Sequence, residues 1–378
     1  MTKIPFNKPF IVGKELYNIA QAVTHGQLSG DGPFTKMCAE WMEKRFGAKK
    51  ILLTHSCTAA LEMSAILSDI GPGDEVIVPS YTFVSTVNAF VLRGAKPVFV
   101  DIRPDTLNLD EKYIEQAITP RTRAIVPVHY AGVGCAMEPI LDIARRHKLI
   151  VIEDAAQGVC STYGDRYLGT LGHLGCYSFH ETKNFISGEG GALLVNDARF
   201  LERAEIIREK GTNRCQFFRG EVDKYSWVDI GSSYLPSEMI AAFLYAQLED
   251  SEKITEKRTA IWNAYHERLE PLERAGKLRR PSCPPECRHN AHLYYILLGS
   301  LDERTALISE MKKHDIHPVF HYVPLHTSPM GLKLSGGKAP HLPVTEEIAD
   351  RLLRLPCYYE LEPPQIDRVC RVLESFWK

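Results

Sequence analysis

Between about residues 50 and 200 the chain alternates short, almost wholly apolar runs with longer stretches whose apolar positions recur at helical spacing. A run that is apolar at consecutive positions needs cover on both faces, and alternation of such runs with helices is the pattern of a parallel sheet clad on both sides. The candidate strands are 51–54, 75–78, 96–100, 124–128, 150–153, 176–179 and 192–196, with helical segments at 58–70, 82–93 and 137–147. An α/β fold, doubly wound around a mostly parallel sheet, is therefore predicted for residues 1–250. Beyond it, charged helical sequence over 249–273 leads through the proline-rich loop 281–285 to a tail of α+β character, so residues 251–378 are expected to form a smaller C-terminal domain.

Sheets of this kind take ligands outside the carboxyl ends of their strands, which directs attention to the residues just after each apolar run. HSCTAAL at 55–61 leaves one strand and opens a helix, so Cys57 and Thr58 offer free amides, a hydroxyl and a positive dipole end to a phosphate, or simply cap the helix. PSYTF at 79–83 follows the next strand, where Phe83 stacks on a flat heterocycle or belongs to the core. Asp154 ends an apolar strand and needs a partner, which a protonated pyridinium, a helix start or an arginine would supply. Gln157, one turn on, reaches toward the same ring.

Lys183 follows Asp154 by 29 residues, in SFHETKN, with SGEGG and another apolar strand after it. Most lysines are solvated, but one buried in an apolar pocket loses proton affinity and can attack a carbonyl. The four features, in this order, are what pyridoxal phosphate (PLP) needs: a Schiff-base lysine, an acid for the pyridinium nitrogen, a stacking ring and a phosphate cup.

Charge and composition narrow the partners. With 45 Lys+Arg against 47 Asp+Glu the formal charge is −2, which gives no footprint for nucleic acid or an anionic membrane, and a small-molecule substrate is expected. The amino terminus is broken by Pro5 and Pro9, and no run of about 18 apolar residues occurs, so neither a secretory signal nor a membrane span is expected and a cytoplasmic location is. Ten cysteines lack paired CxxC spacing and read as reduced thiols; Cys283 and Cys287 form the one close pair, in a loop, and no metal is expected. A Cys57 or Cys160 nucleophile with His129 or His180 lacks an arranged base and orienting acid, and the glycine run at 188–191 precedes a strand where a dinucleotide fingerprint would precede a helix.

These residues, in this order, resemble the sugar-nucleotide aminotransferases of the DegT/DnrJ/EryC1/StrS group, which are fold-type-I PLP enzymes. The likeness runs from Gly30-Asp31-Gly32 to Leu353-Arg354-Leu355-Pro356, and HETKN, VPVHYAGV, REKGTNRxxFFRGxVDKY and DIGSSYLPSE look most like the dTDP-4-amino-4,6-dideoxygalactose transaminase branch. The resemblance implies that Lys183 carries the cofactor, that Asp154 partners its ring nitrogen, that Gln157 and Phe83 touch the ring, and that Ser178 joins Cys57 and Thr58 at the phosphate. It implies a homodimer with active sites shared between subunits. Ser233 stands where relatives often supply an asparagine to the neighbouring subunit's phosphate. Asp31, Asn213, Arg214, His321 and Tyr322 would touch the sugar nucleotide. The implied reaction moves an amino group from L-glutamate to C4 of dTDP-4-keto-6-deoxyglucose, the alternative being another 3-keto or 4-keto sugar nucleotide. Relatives that dehydrate the sugar carry histidine in place of the lysine, and Lys183 stands against that chemistry.

Overall fold

In the computed structural model, which describes residues 2–377, the chain builds β1 (Lys50–Thr54), β2 (Glu75–Pro79), β3 (Lys96–Val100), β4 (Thr122–Ile125), β5 (Ile150–Asp154), the two-residue β6 (Thr162–Tyr163) and β7 (Arg166–Tyr167), β8 (Leu174–Ser178) and β9 (Gly191–Val195). Seven of them form one sheet in the order β1-β9-β8-β5-β4-β2-β3. The five strands from β8 to β3 pair parallel, and β9 runs antiparallel to both its neighbours. The mostly parallel, helix-clad sheet read from the apolar runs is thus present. The reversal at β9 has a simple cause: no crossover helix separates it from β8, so the chain can only turn back. That return loop carries Lys183.

Strand ends differ from the apolar pattern in one informative place. The expected strand 124–128 stops pairing at Ile125, because Pro127 has no amide to donate, yet the Pro127 carbonyl still accepts from Asp154 N at 2.9 Å and Val128 bridges to Asp154. The chain beyond β4 is thereby held against the end of β5.

Helix Cys57–Leu67 is apolar nearly all round and lies between the sheet and its neighbours, with Ala60, Met63 and Ala65 fully buried. Ser56 caps it, accepting from Ala59 N at 3.1 Å. A Cβ on Gly191 would lie 2.4 Å from Cys57 N, so the first turn of this helix sits directly on the start of β9 and only glycine fits between them. The phosphate-cup candidate and the lysine loop are neighbours for that reason.

The 24-residue helix Ser251–Arg274 leads away from this sheet. After β10 (Cys287–Arg288), which joins β6 and β7 in a small ribbon, come β11 (Tyr294–Leu297), β12 (Val319–Phe320) and β13 (Leu352–Leu355), antiparallel in the order β11-β13-β12. Tyr265, Tyr294, Ile296, Leu307, Leu353 and Leu373 fill a core between these strands and helices Leu301–Lys313 and Pro363–Phe376. The amino-terminal arm packs here too: Ile4 is fully buried beside Ile316, and Phe10 stacks on Tyr359 with centroids 3.6 Å apart. No described helix is long and apolar enough to cross a membrane.

Candidate active site

A cavity of about 680 Å³ opens where the ends of β2, β5 and β8 face β13. That size suits a small ligand. Cys57, Thr58, Phe83, Asp154, Gln157, Ser178, Lys183, His321 and Tyr322 all line it. Residues separated by up to 265 positions therefore meet in one chamber, as the sequence order demanded.

Asp154 is buried at the last position of β5. Its Oδ2 accepts from Thr86 Oγ1 at 2.7 Å and its Oδ1 from Ala156 N at 3.1 Å, and Thr86 is held in turn by Thr82 at 2.8 Å. These contacts fix the carboxylate plane and leave acceptor capacity on both oxygens for a ligand. Gln157 is pinned at both ends, taking Ala131 N at 2.7 Å and donating to the Tyr322 hydroxyl at 3.1 Å.

Lys183 sits in the return loop, its amide donating to His180 O at 2.9 Å. Among the described residues its amine has neither a hydrogen-bond nor an ion-pair partner, and burial lowers its pKa from the ordinary lysine value. His292 lies alongside and bonds Asn184 Oδ1 at 3.0 Å; burial, and then the nearby Lys183 charge, hold its pKa well below the usual histidine value. Asn290 ties this segment back to the turn after β5, donating to Gln157 O at 2.9 Å and Val159 O at 2.8 Å.

Ser178 closes β8 and receives His180 N at 3.4 Å, while the helix start at Cys57 and Thr58 faces the same space. Thr58 Oγ1 donates to Ser85 Oγ at 2.8 Å, which brings a second hydroxyl to that end. Phe83 lines the cavity and is 58% exposed, so of its two readings the core one does not hold. On the far side Tyr322 lines the cavity and is backed by Tyr81 and Tyr130, with ring centroids 5.6 and 6.2 Å from its own, and the Tyr130 hydroxyl meets His321 Nδ1 at 3.0 Å.

Four expected residues lie elsewhere. Asp31 and Arg214 line a separate cavity with Arg208 and Glu209; Asp31 is ion-paired to Arg208 at 2.6 Å, and Ser233 bridges to Glu209. Asn213 precedes the short helix Arg214–Phe218 and its side chain accepts from Ser226 N at 2.7 Å. Within one chain none of the four reaches the chamber that holds Lys183. Asp31, Glu209 and Cys215 also converge closely enough to suggest a cation site, but Arg208 already neutralises Asp31.

The sequence reading passed over Thr86, Ser85, His292 and Arg354, all of which the fold brings to the cavity. A hydroxyl one helical turn beyond Thr82, and a cation between leucines on a strand, were the available signals.

A model of the DegT/DnrJ/EryC1/StrS aminotransferase family matches residues 10–374. The chain belongs to that family. It is 36% identical over 384 residues to an uncharacterized protein of Methanocaldococcus jannaschii, covering 99% of this chain and 98% of that one. It is 32% identical over 385 residues to the spore coat polysaccharide biosynthesis protein SpsC of Bacillus subtilis, covering 99% and 97%. Among solved structures, a Streptococcus pneumoniae protein assigned as a sugar aminotransferase superposes in its PLP form with a TM-score of 0.91 at 25% identity, covering 99% of this chain and 98% of that one, and a pyridoxamine-phosphate form matches equally well. The architecture is that of fold-type-I PLP enzymes, and the chain is a sugar aminotransferase. The chamber fits the cofactor: a carboxylate with open lone pairs, a free buried amine, an aromatic face and a hydroxyl-rich helix start stand around one space.

Proposed function

We propose that this aminotransferase moves an amino group from L-glutamate to C4 of dTDP-4-keto-6-deoxy-D-glucose, giving dTDP-4-amino-4,6-dideoxy-D-galactose and 2-oxoglutarate, for a cell-surface polysaccharide made from a cytoplasmic precursor. The observation that carries aminotransfer is the free Lys183 amine in one chamber with the anchored Asp154 carboxylate. The sugar is supported by the motifs HETKN, VPVHYAGV and DIGSSYLPSE, and the pathway class by the likeness to SpsC, a spore coat polysaccharide biosynthesis protein.

PLP, when bound, supplies a carbonyl that takes an amine and a ring that withdraws the electrons left when the C–H bond at the amino carbon breaks. Cys57, Thr58 and Ser178 would hold its phosphate, Phe83 its face and Gln157 its ring edge. Asp154 holds the proton on the ring nitrogen, and Thr86 and Ala156 keep that carboxylate aimed. The Lys183 amine takes the proton from the α-carbon of glutamate, and its lowered proton affinity provides the free base this step needs. Tyr322 and, from the amino-terminal arm, Phe6 and Asn7 line the opposite side.

The working unit in this reading is a homodimer with shared sites. Asp31, Asn213, Arg214 and Ser233 then serve the neighbouring subunit's sugar nucleotide and phosphate, which accounts for their distance from the chamber of their own chain. The exposed Phe218, Tyr225, Trp227 and Val228 on the same segment support a covered face there. We take residues 1–250 as the cofactor-binding domain and 251–378 as the smaller one that closes over it.

The visible spectrum of the protein with PLP tests the reading. Glutamate should bleach the band and dTDP-4-keto-6-deoxyglucose restore it. A band indifferent to glutamate removes the donor assignment, and recovery with another keto-sugar nucleotide only would remove the sugar.

A further inference from the structure

Asn184, the buried residue next to Lys183, is held from two sides: its Nδ2 donates to Asn290 O at 2.7 Å and its Oδ1 faces His292 Nδ1 at 3.0 Å. An amide oxygen has no proton to give, so Nδ1 carries the ring proton and Nε2 is a bare acceptor. The other two imidazoles of the chamber are committed differently. His180 turns to Thr182 at 2.9 Å and Glu189 at 3.7 Å, and His321 meets the Tyr130 hydroxyl, which can give or take a hydrogen. Behind the His292 backbone stands Arg258, a buried cation on helix Ser251–Arg274. It donates to Ala291 O at 3.1 Å, His292 O at 2.6 Å and Cys357 O at 3.1 Å, so the chain that carries the imidazole is clamped.

Lys183 and His292 share two spaces. Both line the chamber, and both line a second cavity of about 10 Å³ with Ser178, Gln157 and Asn290, which is room for a single water. The amine and the imidazole are near enough for the Lys183 charge to bear on the ring, and burial keeps that ring neutral at pH 7 and its acceptor open. A lysine released from the cofactor is a long flexible arm that must still present its lone pair to one carbon. We infer that His292 Nε2 holds the displaced Lys183 amine by accepting one of its hydrogens, and so aims the lone pair at the donor's α-carbon. The inference rests on Lys183 as the reacting amine. The lone pair takes the α-proton while the C–H electrons pass into the cofactor ring, and the ammonium keeps its bond to Nε2. The same proton then leaves for the cofactor carbon to which the lysine had been bound, which restores the neutral amine. His292 itself neither gains nor loses a proton and is a positioning residue. Asp154 cannot serve in its place, since its oxygens belong to Thr86, Ala156 and the ring nitrogen.

The test compares the wild type with H292F, which keeps a flat ring without the acceptor, and H292Q, whose amide oxygen reaches about as far as Nε2. With each protein fully loaded with PLP, bleaching at saturating glutamate should slow about 100-fold in H292F, the loss typical of a misplaced reacting group, with glutamate half-saturation unchanged. H292Q should recover much of that rate. Deuterium at the α-carbon of glutamate should slow H292F more than the wild type, because the substitution strikes the proton transfer. In the PLP-free wild-type protein, nitrogen NMR spectra of isotope-labelled imidazoles, with H292Q identifying the signal, should show the proton on Nδ1 and Nε2 bare at pH 7. A protonated Nε2 would overturn the assignment even if H292F does not fold. A wild-type bleaching rate in fully loaded H292F would overturn it too, as would a raised glutamate half-saturation at an unchanged limiting rate, which would make His292 a contact of the donor. A wild-type band indifferent to glutamate, or multiple turnover by K183M, would instead bring down the reading of Lys183, and those controls tell the two failures apart.

Discussion

The buried Thr86 hydroxyl donates to Asp154 Oδ2 at 2.7 Å, joining the helix after β2 to the carboxylate at the end of β5. A charge-assisted bond of this kind contributes about 1.5–3 kcal/mol, and here it also sets which way the carboxylate faces. Thr86→Val keeps the shape and removes the bond. PLP affinity should fall roughly 10- to 100-fold, read by cofactor loss on dilution, with the fold unchanged by circular dichroism. Wild-type retention of PLP would show that Ala156 alone suffices.

Lys183 carries a cost for its chemistry in the cofactor-free protein. Burial lowers its folded pKa, so between that value and the ordinary one of about 10.4 the unfolded chain binds the extra proton. The sign follows: stability of the apoprotein rises with pH across this window and is lowest below it. Lys183→Met removes the cost, so at pH 7 the cofactor-free variant should need more urea to unfold than the wild type, with the gap narrowing by pH 10. It should also show no multiple turnover with glutamate and keto-sugar. A variant less stable than wild type at pH 7 would refute the buried-charge account.

The sheet and the chamber were readable in different degrees, for physical reasons. β2, β5 and β8 announce themselves because strands covered on both faces must be apolar throughout, and Asp154 and Lys183 stand out as polar residues at the ends of such runs. The antiparallel β9 was not visible, since an apolar strand carries no mark of its direction; only the absence of a helix before it decides the matter. Arg354 and His292 were overlooked because their place depends on how β11 and β13 pack against a different sheet, which no local pattern encodes. Asp31, Asn213, Arg214 and Ser233 came from resemblance alone, and nothing in their surroundings within one chain marks them as ligands of this chamber.

Gly191 offers a test of the phosphate end that leaves every polar group in place. An added methyl would meet Cys57 N and the Ser56 carbonyl carbon, both at 2.4 Å, and these are backbone atoms that cannot swing away. Gly191→Ala should therefore displace the first turn of helix Cys57–Leu67, weakening PLP binding more than tenfold and inorganic phosphate binding with it. Tight binding in the variant would mean that the amides of this turn do not hold the phosphate.

Glu153 and Asp154 are adjacent on β5, so their side chains point to opposite faces of the sheet, and their fates differ accordingly. Glu153 is fully buried and fully used: Oε1 accepts from Leu171 N at 2.7 Å and Gly172 N at 2.6 Å, and Oε2 from Gly169 N at 2.8 Å and His129 Nε2 at 2.9 Å. The His129 ring is turned by its other nitrogen, which accepts from Cys135 N at 3.1 Å and so leaves the ring proton on the side facing Glu153. Four donors on one carboxylate leave no vacancy for a ligand, whereas Asp154 keeps open lone pairs. Glu153→Gln preserves volume but turns an NH₂ group toward two donors. The cost should be about 3 kcal/mol of folding stability, because two buried donors lose their acceptor, measured by urea denaturation of the PLP-free protein. Protein that remains folded should still bleach with glutamate, because the substitution strikes the support and not the reacting face. Loss of the glutamate response with unchanged stability would reverse the two roles and place Glu153 in the chemistry.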